Sequence, residues 1–271
     1  MPMRSIIPTL RDRVLARAAR ILIKSGTFRR HLAALDGTLD PDFLQAAGLI
    51  RNATDDEALF VRDLVSDTKS FAQLRQDLWV LHETRHKRSG YFVEFGATDG
   101  VQLSNTCLLE REFGWRGILA EPNPAWHAAL RQNRKAAIDL RCVFGRSGER
   151  VAFAATGHPE LATIVGYESN DGHRQARHDH TVLDVGTVSL NDLLVYHDAP
   201  NEIDYISVDT EGSELDILAP FDFKRWNVML FSVEHNGTGL EQDLDHLMLR
   251  HSYERRYQNI SKFDAWYRKM A

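Results

Sequence analysis

The sequence contains few cysteines and no long apolar run. Its 271 residues include only two cysteines, Cys107 and Cys142, which stand far apart. Two isolated cysteines cannot build a disulfide framework, and they lack the close pairing of structural zinc sites. No apolar stretch approaches the ~20 residues that a membrane-spanning helix needs. These absences argue against a disulfide-stapled domain, a zinc module and an integral membrane protein.

The chain also lacks an excess of positive charge, since its formal net charge is −5. A net negative charge argues against nucleic acid as a partner. The first residues show no compact apolar segment followed by a small-residue cleavage site, as a signal peptide would. We therefore expect a cytoplasmic protein.

Positive charge is nevertheless concentrated at the N-terminus. Residues 1–30 hold eight basic residues and one acid, Asp12. Leu10, Val14 and Ile21 recur at helical spacing, which predicts a basic amphipathic helix. Such a helix can lie on the anionic inner face of a membrane, or it can dock on the domain or on a second subunit of a homo-oligomer. The sequence leaves both interpretations open.

Helical patterns run through residues 1–88, and a different organisation follows. We expect a helical extension over residues 1–69 and one α/β domain over residues 70–271. In this domain, short apolar runs alternate with helical patterns, which predicts a mostly parallel sheet with helices on both faces. The predicted strands are residues 90–96, 116–124, 137–145, 203–212 and 227–237, with a further hairpin strand at 150–156 and strand material at 253–268.

The carboxyl ends of the five main predicted strands carry unusual residues. In parallel sheets of this kind, ligands bind beyond those ends. Four of the five ends carry carboxylates. The residues at the five ends are Glu94, Gly96 and Asp99; Glu121; Cys142 to Gly145; Asp209 and Glu211; and Glu234 and His235.

The loop after the first strand, "GATDG" at residues 96–100, does not suit a phosphate. It lacks the GxGxxG spacing of dinucleotide sites and the GK[ST] of a P-loop. Asp99 would also repel an anionic ligand. An acidic glycine loop suits a ligand with a cationic face, such as S-adenosylmethionine. Glu121, one helix and one strand later, can accept both ribose hydroxyls of such a nucleoside.

Three stretches of the chain resemble the FkbM family of S-adenosylmethionine-dependent methyltransferases. They are "GYFVEFGATDGVQLSNTCLLEREFGWRGILAEPNPAWHAALRQNR", "TVSLNDLLVYHDAPNEIDYISVDTEGSELDILAPFDF" and "VEHN". The helix "SFAQLRQDLWVL" before the first strand also looks like that of the family, so the resemblance covers roughly residues 70–237. It implies a class I (Rossmann-like) methyltransferase fold and methyl transfer to a hydroxyl oxygen. The implied acceptor is a sugar of a surface glycan or of a glycosylated natural product.

The resemblance also implies site residues, matched position by position. The implied cofactor contacts include Thr98, which stands where the family more often has Asn. "DTEG" at 209–212 matches the motif after the fourth main strand. The full set of implied cofactor residues is Glu94, Gly96, Thr98, Asp99, Ser104, Asn105, Glu121, Pro122 and Asp209.

A sugar hydroxyl is a poor nucleophile, so a base or a metal must assist. In one arrangement, which we favour, His235 is the base and Glu234 or Asp209 orients it. In the other, Asp209 and Glu234, with His235 or Asn236, hold Mg²⁺ or another divalent cation. Glu211 is a further catalytic candidate, although it can instead cap the following helix.

The polar segment at residues 157–180 is predicted to be irregular. Between the third and fourth main strands, it would lie over the acceptor pocket. Tyr167, His173, Arg174 and His180 are the candidates for binding a sugar. A plain surface loop is the alternative interpretation. Other functions also stay open: methylation of a lipid-linked or small aromatic hydroxyl, or a nucleoside-binding subunit without turnover.

Overall fold

The computed structural model describes Phe60 and residues 69–156, 162–167, 180–258 and 260–270. Nearly all of the predicted N-terminal extension, including the basic helix at residues 1–30, lies outside these ranges. Within them, no helix is both long and apolar enough to cross a membrane. Cys107 and Cys142 are both buried and form no disulfide.

The described helices and strands alternate from α1 to β3, and β4 follows β3 without a helix between them. The helices are α1 (Gln76–Glu83), α2 (Cys107–Phe113), α3 (His127–Asn133), α4 (Leu190–Tyr196), α5 (Glu214–Leu218) and α6 (Leu240–Arg250). The strands are β1 (Tyr91–Phe95), β2 (Arg116–Ala120), β3 (Ala137–Asp139), β4 (Cys142–Phe144), β5 (Arg150–Thr156), β6 (Thr163–Ile164), β7 (His180–Ser189), β8 (Glu202–Val208), β9 (Asn227–Glu234), β10 (Tyr253–Arg256) and β11 (Asp264–Lys269).

A seven-stranded sheet in the order β10-β11-β9-β8-β1-β2-β3 forms the centre of the domain. The five strands from β9 to β3 are parallel. At the other edge, β11 runs antiparallel to β9, and β10 runs antiparallel to β11. The sheet is therefore mixed rather than purely parallel. This α/β architecture is consistent with a methyltransferase fold.

Helices cover both faces of this sheet because successive side chains of a buried strand point in opposite directions. In β1, Phe92 belongs to a core cluster with residues of α1, α2 and α3. Its neighbour Val93 belongs to a second cluster, with residues of α4, α5 and α6. Trp79 of α1 stacks on Trp266 of β11 with ring centroids 5.1 Å apart, which fixes this helix against the sheet.

A second, four-stranded sheet in the order β4-β7-β5-β6 was not anticipated from the sequence. The predicted single strand at 137–145 is divided, because Asp139 accepts hydrogen bonds from the backbone and guanidinium of Arg141 and turns the chain. Consequently β3 joins the main sheet, whereas β4 pairs with β7. The prediction of an irregular segment at 157–180 is also wrong in part, since Thr163 and Ile164 form β6 against β5.

Candidate functional site

A cavity of about 430 Å³ opens at the carboxyl ends of the parallel strands. The structure brings most of the sequence-predicted cofactor and catalytic residues to its wall. Three of the predicted cofactor and catalytic residues do not line the cavity: Asp99, Ser104 and His235. The predicted residues that do are Glu94, Gly96, Thr98, Asn105, Glu121, Pro122, Asp209, Glu211 and Glu234.

Glu94, near the end of β1, holds the loop before α2. Its carboxylate accepts hydrogen bonds from Ser104 Oγ at 3.0 Å and from the Asn105 backbone N–H at 2.7 Å. The fully buried guanidinium of Arg134 lies 3.7 Å from the same carboxylate. Ser104 therefore shapes the loop through Glu94. A buried charge pair of this kind depends on both partners, because either one alone would be left uncompensated.

Two residues of the loop after β1, Asp99 and Gly96, determine the path of the backbone there. Asp99 Oδ1 accepts hydrogen bonds from the N–H groups of Val101 and Gln102, both at 2.8 Å, so its carboxylate closes the turn. Gly96 has a φ of +67°, and a Cβ there would lie 2.2 Å from the carbonyl oxygen of Asp209. Only glycine allows this close approach of the β1 and β8 ends.

Glu121, directly after β2, is 4% exposed and lines the cavity. Its Oε2 accepts from the Thr98 N–H at 2.9 Å, and its Oε1 accepts from the Asn123 N–H at 2.7 Å. Burial raises the pKa of this carboxyl to about 7, against the lowering effect of these two bonds. Each carboxylate oxygen keeps a further lone pair, so Glu121 can still accept hydroxyl groups of a ligand.

Three carboxylates meet at the opposite side of the site. Asp209 follows β8 and Glu234 ends β9, and the pairing of Val208 with Val233 places these strand ends side by side. One oxygen each from Asp209, Glu211 and Glu234 lies within 4.8 Å of the others. We call these three residues the carboxylate group. Burial raises the pKa of Asp209 and of Glu234 well above the usual range, and the negative charge of the neighbouring carboxylates raises it further.

Glu211 belongs to the carboxylate group rather than to the cap of α5. The residue that holds this turn is Glu214, whose Oε1 accepts from the backbone N–H of Thr210 at 2.9 Å and of Gly212 at 3.0 Å. Glu211 itself has a φ of +60°, a left-handed conformation that is uncommon for a residue with a side chain. Such conformations concentrate at functional sites.

The structure does not bring His235 into the carboxylate group. Its Nδ1 accepts from the Gly237 N–H at 3.0 Å, and its Nε2 lies 3.2 Å from Arg255 Nη2. Both ring nitrogens thus face neighbours outside the cavity lining. Burial also lowers the pKa of this imidazole. The placement does not agree with the sequence-based roles of His235 as a base or a metal ligand.

Apolar residues from the second sheet form another wall, which the sequence reasoning missed. They are Phe153 of β5, Ile164 of β6 and the adjacent Ala162. The only signal was the apolar pattern of the predicted strand at 150–156. Of the predicted acceptor residues, Tyr167 donates a hydrogen bond to Asp216 and is outside the cavity lining, and His180 is exposed at the start of β7. His173 and Arg174 lie outside the described residues.

Comparisons with known proteins identify the family. The model of the methyltransferase FkbM domain matches residues 94–265. Among solved structures, a protein from Pyrococcus horikoshii described as a candidate RNA methyltransferase is 10% identical, with 97% of this chain and 100% of that chain covered and a TM-score of 0.36. A variant of the protein MtNAS in complex with S-adenosylmethionine is 12% identical, with 96% and 73% covered and a TM-score of 0.31. These scores are too low to support a structural argument. No curated protein matches the chain.

Proposed function

The chain belongs to the FkbM methyltransferase family, and from this premise we propose that it transfers a methyl group from S-adenosylmethionine to a hydroxyl oxygen of a sugar. The sugar belongs to a surface glycan or to a glycosylated natural product. The observation that carries the proposal is the presence of Glu121 and the carboxylate group in one cavity. Glu121 can accept hydrogen bonds from the ribose of the cofactor. The carboxylate group can attract a cationic sulfonium and accept the proton of the acceptor hydroxyl.

The charge of the cavity supports a cofactor without phosphate. Five carboxylates line it, whereas no Lys, Arg or His is found among its described lining residues. A dinucleotide would bring negative charge into this environment, which Coulomb repulsion disfavours. S-adenosylmethionine instead brings a sulfonium and an ammonium. In our proposal its ribose hydroxyls donate to Glu121, and its reactive methyl lies towards the carboxylate group.

The reaction is an in-line displacement at the methyl carbon. The bond from the acceptor oxygen to the methyl carbon forms while the sulfur–carbon bond breaks, and the electron pair of that bond moves to the sulfur. The products are the methyl ether and neutral S-adenosylhomocysteine. The proton of the hydroxyl passes to an ionised oxygen of the carboxylate group. Because the pKa of Asp209 and of Glu234 is raised, these groups are stronger bases than ordinary carboxylates.

The two-sided character of the cavity supports a sugar as the acceptor. Phe153, Ala162 and Ile164 form an apolar wall, and the carboxylate group and Asn236 supply hydrogen-bonding atoms. A sugar ring carries C–H groups on its faces and hydroxyls along its edge. It can therefore contact the apolar wall with one face while its hydroxyls donate to the carboxylates.

A turnover assay with a panel of acceptors tests this proposal. The protein is incubated with S-adenosylmethionine and methyl glycosides, a catechol or a lipid-linked sugar, and S-adenosylhomocysteine and methylated products are measured by mass spectrometry. We expect methyl ethers of sugars in the native protein and in Asp243→Asn, which changes an exposed carboxylate on α6, but none in Glu121→Ala. Methylation of the catechol alone would contradict the sugar, and methylation of the lipid-linked sugar alone would indicate a lipid-linked acceptor. Cofactor binding without turnover on any acceptor would indicate a non-catalytic nucleoside-binding subunit.

A further inference from the structure

The carboxylate group has the composition of a divalent-cation site. Its three oxygens, one from each residue, lie within 4.8 Å of one another. Oxygens on opposite sides of a bound Mg²⁺ are about 4 Å apart, and those on opposite sides of a bound Ca²⁺ are about 5 Å apart. Only small side-chain adjustments would therefore bring all three oxygens onto one ion.

A second feature of the structure points to a ligand at the same place. Glu234 is 8% exposed, and its Oε2 is buried without a hydrogen-bond partner among the described residues. A buried carboxylate oxygen without a partner is costly, because its hydration is lost and nothing replaces it. The same residue lines the cavity and belongs to the carboxylate group. A bound ion would supply the missing partner.

The described surroundings of Glu234 add negative charge. For Glu234 the strongest charge effects come from Asp209 and Glu211, with Glu214 and Asp264 adding to them, and all are carboxylates. The repulsion between these carboxylates can be reduced in two ways. Asp209 and Glu234 can share a proton, or a divalent cation can neutralise the group.

We propose that Asp209, Glu211 and Glu234 bind one divalent cation of the Mg²⁺ or Mn²⁺ class, and that this ion receives two adjacent oxygens of the acceptor. Three carboxylates and no imidazole or thiolate make a hard, all-oxygen ligand set, which favours these ions over Zn²⁺. Ligands that come from two neighbouring strand ends leave further coordination positions of the ion open towards the cavity.

The cation narrows the class of acceptor. Two open positions suit a vicinal diol, in which one hydroxyl is methylated and its neighbour anchors the ring. Coordination lowers the pKa of the reacting hydroxyl. With the ion bound, the proton of the coordinated hydroxyl passes to solvent water as the oxygen–methyl bond forms and the sulfur–carbon bond breaks. The diol part of this inference rests on the proposed function, whereas the cation site itself does not.

Manganese titration tests the site without requiring turnover. Free Mn²⁺ is measured by electron paramagnetic resonance during titration of the native protein, Glu234→Gln, Glu211→Gln and the control Asp243→Asn. We expect one site in the native protein and the control, competed by Mg²⁺, and a loss of affinity of at least about tenfold in the two glutamine variants. Both changes keep the side-chain shape and remove a repulsive charge, so the fold should persist.

Binding of S-adenosylhomocysteine to the same samples keeps the two proposals separate. A native protein that binds S-adenosylhomocysteine but shows no saturable Mn²⁺ site would overturn the cation site and leave the proposed function standing. Equal Mn²⁺ affinity in all four proteins would overturn the assignment to these residues. Saturable Mn²⁺ binding that the glutamine variants lose, in a protein that does not bind S-adenosylhomocysteine, would support the cation site and contradict the proposed cofactor.

Discussion

The affinity of the site for adenosine should rise with pH, and Glu121→Gln should abolish that dependence. Burial raises the pKa of Glu121 to about 7. Ribose hydroxyls donate to the ionised carboxylate and stabilise it, so binding lowers this pKa and releases protons. Affinity is therefore weakest when the group is protonated, below pH 7, and increases as the pH rises through that value. Adenosine is the suitable probe, because it carries no group that titrates in this range.

The expected size of the effect follows from this pKa. A group with a pKa of about 7 is roughly one-tenth ionised at pH 6 and nine-tenths ionised at pH 8. If only the ionised form binds both hydroxyls, the dissociation constant falls about tenfold between these pH values, or about 1.4 kcal/mol. At pH 7, about half a proton is released for each adenosine bound.

Isothermal titration calorimetry measures both quantities. Affinity is determined at pH 6, 7 and 8, and proton release is obtained from two buffers with different ionisation enthalpies. In Glu121→Gln we expect weak and pH-independent affinity. The amide can accept from only one of the Thr98 and Asn123 N–H groups, so thermal unfolding must show that the variant is folded. A pH-independent affinity in the native protein, or the same rise in the variant, would refute the assignment of Glu121 to the ribose.

Three other substitutions test further parts of the site. Gly96→Ala should abolish binding of S-adenosylhomocysteine, because the added Cβ would clash with the carbonyl oxygen of Asp209 at the end of β8. The control Gly114→Ala should retain binding, since Gly114 has a similar φ of +68° and open space around it. Arg134→Met should lower the free energy of unfolding, measured in urea, by about 3 kcal/mol or more, because it leaves Glu94 buried without its cation. A change below about 1 kcal/mol would contradict the importance of this buried pair. His235→Gln should keep turnover within about tenfold of the native rate at saturating substrate, and a loss of 10²-fold or more would restore this residue as the catalytic base.

The sequence predicts which strand ends line the cavity, because the rule for parallel sheets depends only on where strands end. Glu121 and Asp209 were assigned from their place after buried apolar runs, and both line the cavity. The second sheet was missed because β4 pairs with β7, about 45 residues further along the chain. No local pattern specifies such a pairing, and the division between β3 and β4 depends on the contact of Asp139 with Arg141.

The direction of individual side chains was harder to predict than their position. Glu234 and His235 are adjacent at the end of β9, yet Glu234 faces Asp209 and Glu211, whereas His235 faces Arg255. This difference arises from the alternation of a strand and from the turn at Asn236, whose φ is +50°. Glu211 likewise has a left-handed conformation and lies beside Asp209 and Glu234, a placement that sequence spacing alone could not separate from helix capping.

A crystal structure of the protein with S-adenosylhomocysteine would locate the nucleoside in the cavity. We expect both ribose hydroxyls within hydrogen-bond distance of Glu121, with the sulfur atom facing Asp209, Glu211 and Glu234 across the acceptor space. A nucleoside bound elsewhere, or one bound in this cavity with its sulfur turned away from the three carboxylates, would contradict this expectation.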